Sequence, residues 1–230
     1  MLPIPDDSGH PLARDFAAFI GAAAFPCVGA KAALNRDGMR FVVARDLGSA
    51  WDDLRMLSAL LDLAARYRAD PRLFQSLAVI FEAGAPADEE QFEQLLWQRL
   101  NSLTAKDEWL GQAPDQRVSH DPDDPHFAMS FGGEAFFVVG LHPRASRPAR
   151  RFSNPALVFN LHDQFEQLRA EGRYDKLRET ISARDIRLAG SPNPMLATHG
   201  KVSAARQYSG RAVGPGWACP FAGREPQDAA

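Results

Sequence analysis

FAMSFGGEAFFVVGL, Phe127 to Leu141, is the stretch on which the fold turns. Two apolar runs, FAMSF (Phe127–Phe131) and AFFVVGL (Ala135–Leu141), flank Gly132-Gly133-Glu134. Strand-forming residues on both sides of a glycine-rich three-residue connection predict a β-hairpin. The second run is apolar on both faces, which suits a central strand covered by helices on each side. A hairpin inside a chain that otherwise alternates strands and helices rules out a purely parallel sheet. The expected fold class is α+β: a mixed, mostly antiparallel sheet packed with helices, in a single domain spanning 1–230 with its core over about 11–222.

Working outward, ALVFNL (Ala156–Leu161) reads as another buried strand. Asp163 and Glu166 then form a D-x-x-E capping box. It opens a helix with Phe165, Leu168, Tyr174, Leu177 and Ile181 on its core side and a kink at Gly172. On the N-terminal side, a helix over Pro11–Ala24 ends at Pro26 and Gly29. A strand follows over Arg40–Asp46, then a helix capped by Ser49 and running to about Arg68. Leu73–Ala83 is a further strand, and Asp88 with Gln91 caps a helix carrying Phe92, Leu95, Leu96, Leu100 and Leu103. Asp107–Pro125 reads as a long loop. The last quarter has little regular pattern, and GREPQDAA reads as a frayed tail.

The chain has 230 residues, 45% of them hydrophobic and 24% charged, ordinary values for a globular protein with a large core. Lys plus Arg number 26 against 29 Asp plus Glu, a net charge of −3, so no nucleic-acid-coating surface is expected. Two cysteines, Cys27 and Cys219, are too few for a disulfide scaffold. No leader or spanning segment is read from the sequence, and the expected location is cytoplasmic, with no membrane partner. Gly-rich phosphate loops and the GxSxG, HExxH and CxxCH motifs are missing.

The hairpin's second strand runs into GLHPRASRPARRF (Gly140–Phe152), where Arg144, Arg147, Arg150 and Arg151 fall within eight positions with no acid between them. Guanidinium forks pair with carboxylate or phosphate oxygens and keep their charge. The loop therefore suits an anionic metabolite, a phosphate or haem propionates; the competing reading is a solvated loop paired with surface acids. His142, at the end of a rigid strand, is a candidate metal ligand. The competing reading is a histidine hydrogen-bonded at a strand terminus. Cys219 in WACPF could ligate iron as a thiolate or act as a nucleophile; most free cysteines are simply small buried hydrophobes, and the same applies to Cys27 in FPC. Trp217 and Phe221 could wall a flat ligand or pack a core. Asn160, His162 and Gln164 alternate with apolar residues across a strand–helix junction, where they could orient a substrate or an oxygen species. His162 is the second candidate metal ligand. His199 lies in a Pro/Gly-rich loop.

FPCVGAK, SFGGEAFFVVGLHPRASRPARRF, ALVFNLHDQFEQLRAEGRYDKLRETI, SPNPML, ARQYSGR and WACPF, in that order, resemble the YqcI/YcgG family from about Pro26 to Phe221. Pro192 departs from the aliphatic residue expected there, which bears on the shape of that loop. Some members are similar to the haem-dependent N-hydroxylase of the guanitoxin pathway. The resemblance thus implies a b-type haem and an O₂-using N-hydroxylation of a guanidino or amine compound, with an electron donor. A homodimer is left open. Carried onto this chain, His142 is expected to ligate the iron, with Cys219 as the alternative. Arg147, Arg150 and Arg151 would hold the propionates, and Asn160, His162 and Gln164 would serve catalysis. A non-enzymatic haem carrier or sensor, or a haem-free binder of an anionic metabolite, are the competing readings.

Overall fold

The computed structural model describes residues 4–196 and 201–223; His199 and all but the first residue of GREPQDAA lie outside them. The hairpin forms as expected, with Gly132 and Gly133 at positive φ, and its strands are β3 (Met129–Phe131) and β4 (Glu134–Leu141). Before it come α1 (Pro11–Gly21), α2 (Val28–Asn35), β1 (Met39–Asp46), α3 (Asp53–Ala69), β2 (Ser76–Ala83) and α4 (Glu89–Trp109). After it come β5 (Ala156–Leu161), α5 (Asp163–Ala170), α6 (Tyr174–Ala189) and α7 (Ala205–Tyr208). The strand order is β1-β2-β5-β4-β3. Only β1 and β2 run parallel, joined through α3; every other pair is antiparallel. The chain is thus a single α+β domain built on a mixed, mostly antiparallel sheet. No helix among the described residues is long and apolar enough to cross a membrane.

Side-chain alternation along the strands splits the core in two. One set, Val42, Leu77, Val79, Phe81, Phe136, Val138, Leu157 and Phe159, packs with α3 and α4 residues such as Leu57, Leu60, Phe92, Leu96 and Leu100. The other, Phe41, Ala78, Ile80, Leu141, Ala156 and Val158, packs with Phe16 and Ile20 of α1 and with Phe25 and Phe152. Each such side chain, fully buried, contributes roughly 1.5–3 kcal/mol relative to exposure.

Several local readings change. FPCVGAK is a helix start as well as a helix stop: Cys27 is the N-cap of α2, its Sγ accepting the Ala30 N–H at 3.4 Å. Ser49 caps a 3₁₀ turn, Ala50–Asp52, rather than α3 itself. The Asp88–Gln91 box holds: Asp88 Oδ1 accepts the Gln91 N–H at 2.8 Å, and Gln91 Oε1 accepts that of Ala87 at 2.6 Å. α4 runs to Trp109, three residues into the expected loop, because buried Asp107 accepts the Gly132 N–H and ties the helix end to the hairpin. The second capping box fails. His162 occupies the N-cap of α5 and makes no side-chain cap bond, while Asp163 Oδ2 accepts the Tyr67 hydroxyl at 2.7 Å. Gly172 breaks the expected long helix into α5 and α6 rather than kinking it.

Candidate functional site

On the α1 side the second core leaves a cavity of about 350 Å³ between sheet and helices. That volume lies at the lower end of small-molecule pockets. Its floor is Phe137, Val139 and Leu141 of β4 with Val158 and Asn160 of β5. Phe16 and Ile20 of α1 and Cys27 before α2 form one wall; Phe165 and Leu168 of α5 form another. Its roof is one face of α6: Tyr174, Leu177, Arg178, Ile181, Ser182 and Asp185. Those six positions follow helical spacing, and the sequence pattern marked three of them as core-facing.

Strand parity puts His142 off this cavity. On β4 the odd positions face the cavity and the even ones face α4. His142 continues the even set. Its ring is 0% exposed and stacks on Phe92 of α4, centroids 4.2 Å apart and planes at 22°. Gly140, one position earlier on the same face, shows how close α4 lies: a Cβ there would meet Phe92 and Leu96 at 2.6 and 2.8 Å. Burial holds the His142 pKa down to about 4; Glu89 and Asp88 oppose that and Arg150 adds to it. Neither ring nitrogen has a hydrogen-bond partner among the described residues, so the strand-terminus hydrogen bond is absent as well. His142 thus lies on the α4 face of the sheet, away from this cavity.

The alternative ligand, Cys219, is also off the cavity. It packs with Trp217 against the core on the α4 side, and burial pushes its thiol up to about 12. Phe221 sits against Trp97 and Phe127, and the Trp217 indole donates to Glu93 Oε2 at 3.1 Å. WACPF is thus a clamp onto α4, and neither Trp217 nor Phe221 walls the cavity.

The arginine loop divides. Arg151 donates to the Ala145 and Ser146 carbonyls, both at 2.9 Å, bracing its own turn. Arg147 pairs with Asp185 of α6 and donates to the Ser191 and Pro192 carbonyls. These two arginines are engaged within the chain and do not line the cavity. Arg144 is exposed. Arg150 alone lines the cavity. Its guanidinium donates to the carbonyls of Gly140, Gln207 and Tyr208 at 2.8–3.1 Å and makes no direct carboxylate contact among the described residues. Burial lowers its pKa to about 10, with Asp185 opposing that from a longer distance. A cation with carbonyl partners and no paired carboxylate suits an anionic group.

Asn160, His162 and Gln164 all line the cavity, as their alternation implied. Asn160 and Gln164 brace the wall through their side-chain amides. Asn160 Oδ1 accepts from Ser76 Oγ at 2.8 Å and its amide donates to the Phe137 and Val158 carbonyls. Gln164 brackets the Gln75 backbone, accepting its N–H at 2.9 Å and donating to its carbonyl at 2.8 Å. These amides brace the cavity wall around β2 and β5. Cys27 joins His162 as a potential metal-binding side chain on the wall. The signal for Cys27 was in FPCVGAK, a thiol directly before a helix start. Burial raises its pKa, the Ala30 and Gly29 N–H groups lower it, and Arg150 adds a smaller lowering. Among the described residues no group of three or more His, Cys, Asp or Glu is placed to hold a bare metal ion.

The fold and site define an α+β protein with a mostly apolar cavity between a mixed sheet and a helical roof. The model of the YqcI/YcgG family matches residues 16–222, and the chain belongs to that family. It is similar to the uncharacterized protein YqcI of Bacillus subtilis (strain 168), 30% identical over 151 residues, 63% of this chain and 57% of that one. It is also similar to the uncharacterized protein YcgG of the same organism, 28% identical over 154 residues with the same coverage. The chain thus spans a little over half the length of these two relatives. No solved structure matches it.

Proposed function

We propose that the cavity holds a haem and that the chain is a haem-dependent N-hydroxylase of a guanidino or amine compound. The observation that supports this best is the lining itself. A mostly apolar slot between β4, β5, α1, α5 and α6 carries the Cys27 thiol, the His162 imidazole and the half-buried Arg150 guanidinium, which makes no direct carboxylate contact among the described residues. Those are the groups that would take iron, a reacting polar group and a propionate. Cys27 would hold the iron: its Sγ is fixed at the α2 N-terminus by the Ala30 N–H, and a thiol that binds a metal loses its proton. Arg150 would pair a propionate. His162 would serve the substrate, holding or moving a proton at the reacting nitrogen. The apolar floor and roof would keep water out.

When bound, the haem would supply O₂ activation. One oxygen atom would enter the substrate N–H bond and the other would leave as water, with two electrons and two protons from an external donor. Two free cysteines accord with a cytoplasmic, reducing location.

The test is haemin titration of the full chain. The expected result is a saturable Soret band that Cys27→Ser shifts or abolishes and that His142→Ala and Cys219→Ser leave intact. Failure to bind haemin, or loss of the band in His142→Ala alone, overturns the assignment. With haem bound, N-hydroxylation of a guanidino compound given O₂ and a reductant separates a catalyst from a carrier. His162→Ala is expected to lower that turnover while keeping the Soret band.

A further inference from the structure

We infer that α6 is a movable roof over the cavity, latched shut by the Arg147–Asp185 ion pair. The inference builds on the cavity's being a ligand site. α6 is held unlike the other long helices. α3 and α4 bury eight and nine residues, whereas in α6 only Asp185 is buried. The apolar face of α6 lines the cavity instead of a packed core. Its main neighbours are the 3₁₀ turn Pro148–Arg150, α2 and α5. Gly172 and Gly190, both at positive φ and both with open space where a Cβ would be, bracket it. A helix with few packed contacts opens at lower free energy than the sheet beneath it.

The turn facing α6 is fixed. Arg150 ties it to Gly140 of β4 and to Gln207 and Tyr208 of α7, and Arg151 ties it to Ala145 and Ser146. Arg147 reaches out from that post. One Nη bonds Asp185, and both donate to the Ser191 carbonyl at 3.0 Å, just past the C-terminus of α6. The two side chains are 12% and 13% exposed, dry enough for the pair to count. The arginine-rich loop is in this respect a gatepost. A flat ligand as large as a porphyrin enters where a wall yields, and α6, with one buried residue in its length, is a thinly packed wall.

The latch is made in the closed protein with or without ligand. Removing it therefore favours opening equally in both, speeding entry and release alike and leaving their ratio unchanged. The experiment compares wild type with Asp185→Asn, Arg147→Gln and the double variant, by backbone hydrogen exchange without ligand and by haemin binding kinetics. The α6 amides are expected to exchange about tenfold faster in each single variant, with β4 and β5 unchanged and the double variant no faster than Arg147→Gln, which also loses the Ser191 and Pro192 bonds. Haemin entry and release should accelerate by similar factors.

The latch is overturned if α6 exchange is the same in variants and wild type, or if the two single effects add. It is also overturned if release accelerates while entry does not, the mark of a direct ligand contact. If haemin does not bind at all, the haem reading falls, and α6 exchange in the ligand-free protein still decides the latch.

Discussion

Leu141 and His142 are neighbours in the chain and face opposite sides of the sheet, one over the cavity and one against Phe92. That parity decides whether a histidine meets a ligand or a phenyl ring. The sequence could not supply it, because AFFVVGL is apolar at every position and gives no alternation to read. The parity of Asn160, His162 and Gln164 was legible, since there polar and apolar residues do alternate. The buried imidazole has a consequence in acid. Its folded pKa of about 4 lies below the ordinary value of 6.5. Between those values the unfolded chain takes up a proton that the native one refuses, so the stabilising difference is complete above about pH 6.5 and is lost as pH falls towards 4. Glu89 and Asp88 moderate the shift and Arg150 reinforces it. His142→Phe is expected to flatten the pH dependence of the urea midpoint in that window, by about 3 kcal/mol at most. An unchanged slope would show that His142 titrates normally.

At the scale of elements, periodicity located most helices and strands but not what each face meets. The apolar stripe of α6 reads like that of a core helix because a dry cavity and a packed core select the same side chains. Asp163 with Glu166 imitates a capping box, yet Asp163 is drawn to Tyr67 of α3, a partner 96 residues away. Buried ion pairs are equally silent in sequence. Asp53, 0% exposed at the start of α3, pairs with Arg99 and Lys106 of α4 and accepts from Ser102, while Arg99 also donates to the Leu47 carbonyl. This cluster fixes how α3 and α4 lie against each other. Asp53→Ala leaves a buried guanidinium without its carboxylate and is expected to cost about 3–5 kcal/mol in chemical denaturation. A loss under about 1 kcal/mol would mean that Arg99 is satisfied by the backbone alone.

Across the whole molecule, an open five-stranded sheet has two edges to protect. Residues before α1 cover β1: the Asp7 N–H donates to the Phe41 carbonyl, and Asp7 Oδ2 accepts the Val43 N–H at 2.7 Å and holds Arg55. Asp52 accepts the Arg45 N–H further along the same edge. Asp7→Ala uncovers part of this edge. It is expected to raise concentration-dependent association in light scattering, while a strictly monomeric variant would assign the role to Asp52 alone. By itself the sequence determined most of the elements, the hairpin and therefore the mixed α+β sheet, and a polar group alternation at the end of β5. These depend on periodicity and turn chemistry, which are local. Only the tertiary structure decided that Cys27 shares a cavity with Arg150 and His162, that His142 and Cys219 do not, and that Arg147 grips α6. Those facts depend on which face of each element meets which neighbour, and on contacts between residues far apart in the chain, where no local pattern carries the information.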